Sequence, residues 1–244
     1  MTRLHRPKAG FWIRLCVLAL YPLDAVLFRL RWRGLDKVPA TGGVIYAINH
    51  TSHLDTVLMA RAVWQSGRIP RFMIKDGAFK LPLIGKILHG AKQIPVHRAS
   101  ANAAQSLSDA VDALNSGEAV IIYPEGTLTR DPEQWPMQAK TGIARLVLLC
   151  PDVPVVPVGQ WGAQHLRRRK WRAFTRRTHQ VLVGDPLDLS RHRGQPMTAP
   201  VLREITDEIM CRVRELVAEL RGEPLPEAVY VPGKGSRGEH LPTS

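Results

Sequence analysis

The chain has 244 residues, 45% of them hydrophobic, and it contains no internal repeat or low-complexity tract. This length and composition predict one well-buried domain with appendages. The three cysteines lie far apart and form no Cys-x-x-Cys pair, which argues against disulfides, a zinc site and a thiol nucleophile. They indicate a reducing compartment, meaning the cytoplasm or its membrane face.

The formal net charge of +13 predicts an anionic partner, and nucleic acid, a phosphorylated substrate and anionic lipid all qualify. Much of this charge lies in residues 167–177, a basic run interleaved with aromatic side chains. Such a run can bind RNA, lie on a lipid headgroup layer, or form a solvated hairpin. Charge alone does not choose among these partners.

Residues 11–30 are largely apolar and predict the first helix. Arg14, Asp24 and Arg29 interrupt them, so the longest uncharged stretch, residues 15–23, is far shorter than the roughly 20 residues that cross a bilayer. At about 100° per residue the three charges fall on one side of the helix. The other side carries the apolar face: Trp12, Ile13, Cys16, Ala19, Leu20, Leu23, Leu27 and Leu30.

This pattern suits an amphipathic helix that lies in the membrane interface, and we assign residues 1–31 to it. An ordinary amphipathic helix packed on the domain would show the same pattern. No small-residue cleavage site follows, which disfavours a secretory signal. Basic residues flank the helix on both sides, as expected for anionic headgroups: Arg3, Arg6 and Lys8 before it, and Arg31 and Arg33 after it.

Strands and helices alternate over residues 32–221, which predicts an α/β domain with a central, mostly parallel sheet flanked by helices. Functional sites in such domains form at the carboxyl ends of strands. Residues 222–244 are rich in Pro, Gly and charge, which predicts a flexible tail. The predicted strands are 43–48, 71–75, 92–96, 119–123, 153–158 and 180–183, and the helices are 54–63, 100–114, 141–149 and 198–220.

His50 and Asp55 follow the first buried strand of this domain, in the sequence Asn-His-Thr-Ser-His-Leu-Asp. A carboxylate at this spacing can hold the imidazole tautomer that leaves one ring nitrogen free to accept a proton. A loop histidine that caps the next helix would explain the same spacing, so the pair alone is a hypothesis.

Three further blocks follow in order: Ile-Pro-Val-His-Arg at 94–98, Tyr-Pro-Glu-Gly-Thr at 123–127, and Val-Pro-Val-Val-Pro-Val at 153–158. With the His50 block they resemble the four motifs of the glycerolipid acyltransferases, specifically the bacterial 1-acylglycerol-3-phosphate acyltransferase family, over about residues 35 to 190. The resemblance implies that the chain moves a fatty acyl group from acyl-CoA or acyl carrier protein to lysophosphatidic acid. The product would be phosphatidic acid, in phospholipid biosynthesis.

The resemblance also implies roles for individual residues. His50 would be the general base and Asp55 the residue that orients it, which agrees with the chemistry that a histidine and a carboxylate permit. Arg98 matches the phosphate-binding arginine, and Lys75 could supply a second positive charge. The residues matching the third motif would bind substrate or brace the loop: Glu125, Gly126 and Thr127, with Arg130 nearby.

The chain departs from the family pattern at two positions. Leu128 stands where an arginine usually follows Glu-Gly-Thr, and the next arginine is Arg130. His97 stands where aspartate is common. Backbone N–H groups near Gly126 and Thr127 are candidates for stabilising the oxyanion of a tetrahedral intermediate.

We therefore expect a peripheral enzyme on the cytoplasmic face of the membrane, with anionic lipids as partners and no metal, cofactor or nucleic acid. Two alternatives stay open at this point. The same chemistry could serve glycerol 3-phosphate, another lysophospholipid or a glycolipid. The chain could instead be a non-catalytic basic module that binds membranes or nucleic acid.

Overall fold

The computed structural model describes residues 9–97, 103–164, 177–233 and 239–242. In this part of the chain the helices are α1 (Phe11–Leu27), α2 (Leu54–Gln65), α3 (Pro82–Gly90), α4 (Ala103–Asn115), α5 (Gly142–Leu149) and α6 (Ala199–Arg221). The strands are β1 (Phe28–Arg33), β2 (Val44–Ile48), β3 (Pro70–Lys75), β4 (Ile94–Val96), β5 (Ala119–Ile122), β6 (Val155–Trp161), β7 (Arg177–Val183), β8 (Ala228–Val231) and β9 (Glu239–Pro242). Short 3₁₀ turns lie at Leu35–Lys37, Asp76–Lys80 and Ser190–His192.

Seven of these strands form one sheet in the order β1-β7-β6-β2-β5-β3-β4. Only the β6 and β7 neighbours run antiparallel, and the other neighbouring strands are parallel. Every residue of β2 and β5 is buried, as expected where both faces of a parallel sheet are covered by helices. The predicted α/β class and the mostly parallel sheet are confirmed.

The side chains of β2 alternate between two apolar layers, which fixes the sheet in the middle of the domain. Ile45 and Ala47 join the layer that contains buried residues of α4, α5 and α6. Val44, Tyr46 and Ile48 join the opposite layer, which contains residues of α2. This alternation follows from the two-residue period of a strand.

The N-terminal region differs from its prediction in where the helix ends. Helix α1 ends at Leu27, and the next six residues form β1, which pairs with β7. The sequence Phe-Arg-Leu-Arg-Trp-Arg alternates apolar and basic residues, and this two-residue period favours a strand over the predicted helix through residue 30. The interfacial segment assigned to residues 1–31 therefore includes a strand of the domain.

The orientation of α1 also differs from the prediction. Ile13, on the predicted apolar face, is buried against the domain, and so is Asp24, which was assigned to the polar side. Asp24 Oδ1 accepts a hydrogen bond of 2.8 Å from Arg61 Nη1 on α2. Two apolar residues outside the predicted face are instead exposed, Phe11 by 70% and Leu18 by 74%. None of the helices described is long and apolar enough to cross a membrane.

Residues 222–244 were predicted to be a flexible tail, but β8 and β9 pair there in an antiparallel ladder. Tyr230 O accepts a hydrogen bond of 2.9 Å from Gln138 N, which attaches this segment to the domain. The short apolar run Ala-Val-Tyr-Val is typical of a strand, and the surrounding Pro and Gly content concealed it. Most of the basic run at 167–177 lies outside the described residues.

Two glycines with different surroundings predict opposite effects of a Gly→Ala substitution, and one of them lies where β6 packs against α6. A Cβ added at Gly159 would lie 2.8 Å from Leu216 Cβ, whereas one at Gly142 on α5 meets nothing within 4 Å. We expect Gly159→Ala to lower the free energy of unfolding by about 1–3 kcal/mol through overpacking. Gly142→Ala should raise it by about 0.4–1 kcal/mol, because alanine loses less backbone freedom than glycine on folding. Urea unfolding measures both, and an unchanged midpoint for Gly159→Ala would contradict the close packing.

Candidate active site

The segment after β2 emerges between the ends of two neighbouring strands. On the β6 side, Asn49 and Gln160 exchange three hydrogen bonds. Asn49 Nδ2 donates to Gln160 O at 3.0 Å, while Gln160 N and Nε2 donate to Asn49 Oδ1 at 2.8 Å and Asn49 O at 2.7 Å. Both residues are fully buried, so these bonds fix the direction in which the chain leaves the sheet.

On the β5 side, the third-motif loop holds the backbone of His50 at both polar groups. His50 N donates to Glu125 Oε1 at 2.9 Å, and Thr129 N donates to His50 O at 2.7 Å. The second oxygen of Glu125 accepts from Met137 N at 3.1 Å. Glu125 is only 2% exposed, so it braces the loops, which was one of its two predicted roles.

Burial also determines the ionisation of Glu125. The pKa of this carboxyl is raised to about 8, mainly because burial desolvates it; the backbone N–H groups of His50 and Met137 lower the pKa, and the charge of Asp55 adds a smaller increase. Around neutral pH the side chain is therefore largely protonated, and it still accepts both backbone bonds.

The imidazole of His50 lies beside the carboxylate of Asp55, with Nδ1 and Oδ2 separated by 3.4 Å. The same oxygen accepts from Thr51 N and Ser52 N, each at 2.7 Å, so Asp55 also closes the loop that carries His50. Helix α2 begins after His53, which excludes the alternative that His50 caps it. The contact is longer than a charge-assisted hydrogen bond, and unliganded sites commonly tighten when substrate binds.

The ring of Tyr123 stacks on the imidazole of His50 and so restricts its plane. The two rings stack with centroids 4.1 Å apart and planes 21° apart, and the ring of Phe72 lies 6.3 Å from that of Tyr123 with the planes 15° apart. Burial, and next the charge of Asp55, raise the pKa of the Tyr123 phenol well above its ordinary value. Tyr123 therefore presents a neutral ring to His50.

His50 opens onto a cavity of about 670 Å³, and three other predicted site residues line it: Lys75, Gly126 and Thr127. Buried Glu125 lies under the loop, and exposed Arg130 is not part of the cavity wall. Leu128 lines the cavity and Arg130 does not; between them Thr129 is buried, with its Oγ1 donating to Trp135 O at 2.6 Å. Arg98 lies outside the described residues.

Several residues of the site were not predicted. Lys140 and Arg145 line the cavity, but their positions depend on how α5 is oriented, which the sequence does not encode locally. Gln160 lies two residues beyond the Val-Pro-Val block, and its polar side chain after an apolar run was an available signal. One expected oxyanion donor is already engaged, since Gly126 N donates to Tyr123 O at 2.9 Å.

A second, apolar cavity of about 180 Å³ adjoins the first. It lies among α1, α2 and α3, and its wall includes Ile13, Val17, Leu20, Trp64, Ile87 and Leu88. Thr56, Phe72 and Ile74 belong to the walls of both cavities. The cavity at His50, whose wall contains both charged and apolar side chains, is therefore separated from the apolar cavity by one layer of side chains.

Comparison with known proteins gives consistent similarities. Residues 29–161 match the family model described as Acyltransferase. A chloroplastic 1-acyl-sn-glycerol-3-phosphate acyltransferase of Arabidopsis thaliana is 25% identical over 170 residues, which are 66% of this chain and 45% of the plant protein. The chain thus spans less than half the length of that relative.

A 1-acyl-sn-glycerol-3-phosphate acyltransferase of Bacillus subtilis is 24% identical over 188 residues, which cover 76% of this chain and 86% of that protein. The crystal structure of the 1-acyl-sn-glycerophosphate acyltransferase from Thermotoga maritima has a TM-score of 0.62 at 20% identity. This similarity covers 87% of this chain and 80% of that one, and it establishes a shared fold.

The raised pKa of Glu125 predicts how stability depends on pH. Because the folded pKa of about 8 lies above the ordinary value of 4.5, the contribution of Glu125 to stability is complete below about pH 4.5 and is lost as pH rises through 8. In urea unfolding, the stability of the wild type relative to Glu125→Gln should fall between pH 5 and pH 8. Glu223→Gln, at an exposed position, is the control. Parallel curves for wild type and Glu125→Gln would refute the prediction.

Proposed function

Because the chain belongs to the acyltransferase family, we propose that it transfers a fatty acyl group from an acyl thioester to the free hydroxyl of 1-acylglycerol 3-phosphate. The thioester is acyl-CoA or acyl carrier protein, and the product is phosphatidic acid, in phospholipid biosynthesis. The names of the Arabidopsis and Bacillus relatives support this acceptor. The observation that carries the proposal is His50, backed by the buried carboxylate of Asp55, at the wall of a cavity large enough for substrate.

In the proposed reaction, the acceptor hydroxyl attacks the thioester carbonyl while His50 Nε2 removes its proton. Asp55 faces Nδ1, so it favours the tautomer that leaves Nε2 unprotonated and stabilises the imidazolium that forms. A C–O bond forms, a tetrahedral intermediate collapses, and the C–S bond breaks. The proton held by His50 then passes to the departing thiolate. The departing thiolate needs little help from a general acid, because the pKa of its thiol is about 8.5 by analogy with cysteine.

The charged and apolar residues of the two cavities support a proposal for where the phosphate and the hydrocarbon chain lie. Lys75 lies in the wall of the His50 cavity and is proposed to attract the acceptor phosphate together with Arg98. The apolar cavity is proposed to take hydrocarbon chain, because burying methylene groups there removes apolar surface from water. Both substrates can then meet at His50, near the side chains that the cavities share.

We further propose that the protein binds the cytoplasmic face of the membrane peripherally. Helices α1 and α3 contact each other, and both expose large apolar side chains, including Leu18 by 74% and Leu83 by 70%. Lys80 and Lys86 lie beside the exposed apolar residues of α3. Exposed leucines next to lysines are typical of a surface that inserts shallowly among anionic headgroups.

Loss of the general base gives the first test of the activity. Thiol release from palmitoyl-CoA is followed with lysophosphatidic acid, glycerol 3-phosphate or lysophosphatidylcholine as acceptor. We expect lysophosphatidic acid to give the fastest release, and His50→Ala to slow it by about 10²–10⁴-fold. His89→Ala, at an exposed histidine of α3, is the matched control and should keep the wild-type rate.

If His50→Ala keeps the wild-type rate, the base assignment is wrong. If no acceptor stimulates thiol release from palmitoyl-CoA, the same acceptors are tested with palmitoyl-acyl carrier protein. Failure with both donors would refute the proposed activity. A faster reaction with another acceptor would keep the chemistry and change the substrate.

Membrane binding has a separate test in the exposed apolar residues. The double substitution Leu18→Glu and Leu83→Glu should weaken binding to phosphatidylglycerol vesicles by roughly tenfold or more, because it removes apolar insertion and adds repulsion. Vesicle sedimentation measures this binding. Met197→Glu, at a residue that is 40% exposed and far from both helices in sequence, is the control. Unchanged sedimentation of the double variant would exclude this surface as the anchor.

A further inference from the structure

The side chains of lysine and arginine in the wall of the His50 cavity come from three positions. Lys75, Lys140 and Arg145 contribute cationic side chains, and no aspartate or glutamate lines the cavity within the ranges that the structure describes. A cavity walled by one sign of charge concentrates ligands of the other sign. The occupant selected by this wall is therefore anionic.

The backbone of Lys140 is hydrogen-bonded to the loop that holds His50, and Arg145 follows it on α5. Lys140 N donates to Pro124 O at 2.9 Å, which joins its backbone to the loop that also carries Glu125. Arg145 follows within the first turns of α5, where Arg145 N donates to Thr141 O. Gly142 and Arg145 are three residues apart on α5 and both line the cavity, so one face of the helix is directed towards it.

Lys140 and Arg145 supply positive charge that the third-motif loop lacks. Leu128 lines the cavity where the resembled family usually has an arginine, and Arg130 is exposed and outside the wall. The positive charge is instead carried by the segment that leads into α5. This arrangement keeps the cavity basic although the loop itself presents an apolar side chain.

The geometry of the substrates identifies which anion fits. In lysophosphatidic acid only the C2–C3–O linkage separates the free hydroxyl from the phosphorus. In acyl-CoA the whole pantetheine arm separates the thioester from its phosphates. Cations in the same cavity as His50 therefore match the phosphate of the acceptor.

We propose that Lys140 and Arg145 bind the phosphate monoester of the acceptor and thereby select acceptors that carry one. This proposal rests on the proposed acyltransferase function. Arginine offers a fork of donors to phosphate oxygens, and lysine adds a point charge. The hydroxyl of the bound acceptor is then held at His50.

Steady-state kinetics test this assignment with Lys140→Met, Arg145→Leu and the double variant. The double variant should raise the KM for lysophosphatidic acid by about 10- to 100-fold, the range expected for losing charged hydrogen bonds. The KM for palmitoyl-CoA, and the kcat at saturating acceptor, should change by less than about threefold. Lys140→Arg and Arg145→Lys should keep most of the affinity, because they keep the charge.

Two controls separate the phosphate subsite from other effects. Lys37→Met and Arg193→Leu remove exposed cations of the same types that pair with Asp185 and Asp152, and they should leave the KM for lysophosphatidic acid unchanged. With monoacylglycerol, which has a hydroxyl but no phosphate, the double variant should react as the wild type does. A rise in the KM for palmitoyl-CoA alone, or an unchanged KM for lysophosphatidic acid, would overturn the proposal.

A binding measurement distinguishes failure of this proposal from failure of the proposed function. Binding of lysophosphatidic acid in detergent micelles is measured by calorimetry for His50→Ala, with and without the two further substitutions. A dissociation constant raised about tenfold or more supports the subsite even if no turnover is found. An unchanged dissociation constant overturns the subsite even if the wild type is an active enzyme.

Discussion

The buried carboxyl group of Glu125 is the contact on which the geometry of the site depends. One oxygen accepts the backbone N–H of His50, and the other accepts that of Met137. These bonds connect the end of β2 to the loop after β5 and to the segment that leads towards Lys140. A single side chain thus links the loop that carries His50 to the segment that leads to two cationic residues in the cavity wall.

Burial gives the Glu125 carboxyl an uncommon protonation state, and further hydrogen bonds hold the same loop. Burial raises the pKa of Glu125 to about 8, so folding favours the neutral carboxyl. A neutral acid accepts hydrogen bonds less strongly than a carboxylate does. Additional bonds hold the same segment, since Thr129 N donates to His50 O and Gln160 binds Asn49 from the opposite strand.

The sequence predicts the framework well and the contacts of the site less well, for a physical reason. Continuous apolar runs identify β2 and β5, because burial on both faces of a parallel sheet leaves little choice of residue. The placement of His50 and Asp55 follows, since both lie directly after a strand. Residues 28–33 were not recognised as a strand. Their apolar residues, at every second position, follow directly on the apolar residues of the preceding helix and were read as part of it.

The roles of Glu125, Lys140 and Arg145 depend instead on contacts between segments that are distant in sequence. A glutamate in a loop is usually solvated, and nothing in Pro-Glu-Gly-Thr indicates that its oxygens will face two buried N–H groups. The direction of α5 is set by packing of Ile143, Ala144 and Leu146 into the core. Only that packing turns Arg145 towards the cavity, so no local pattern could have identified it.

Helix α1 has apolar residues on two sides, and the two cavities give this distribution a physical explanation. Ile13 and Leu20 line the apolar cavity from one side, while Phe11 and Leu18 are exposed on the other. In the proposed function the exposed side meets lipid, so α1 lies between the hydrocarbon of the bilayer and the apolar cavity. In the same proposal, an acyl chain that passes this helix stays in apolar surroundings until its reacting end reaches the side chains shared with the His50 cavity, Thr56, Phe72 and Ile74. The buried ion pair of Asp24 and Arg61 holds α1 on α2, and so it holds the wall of this route in place.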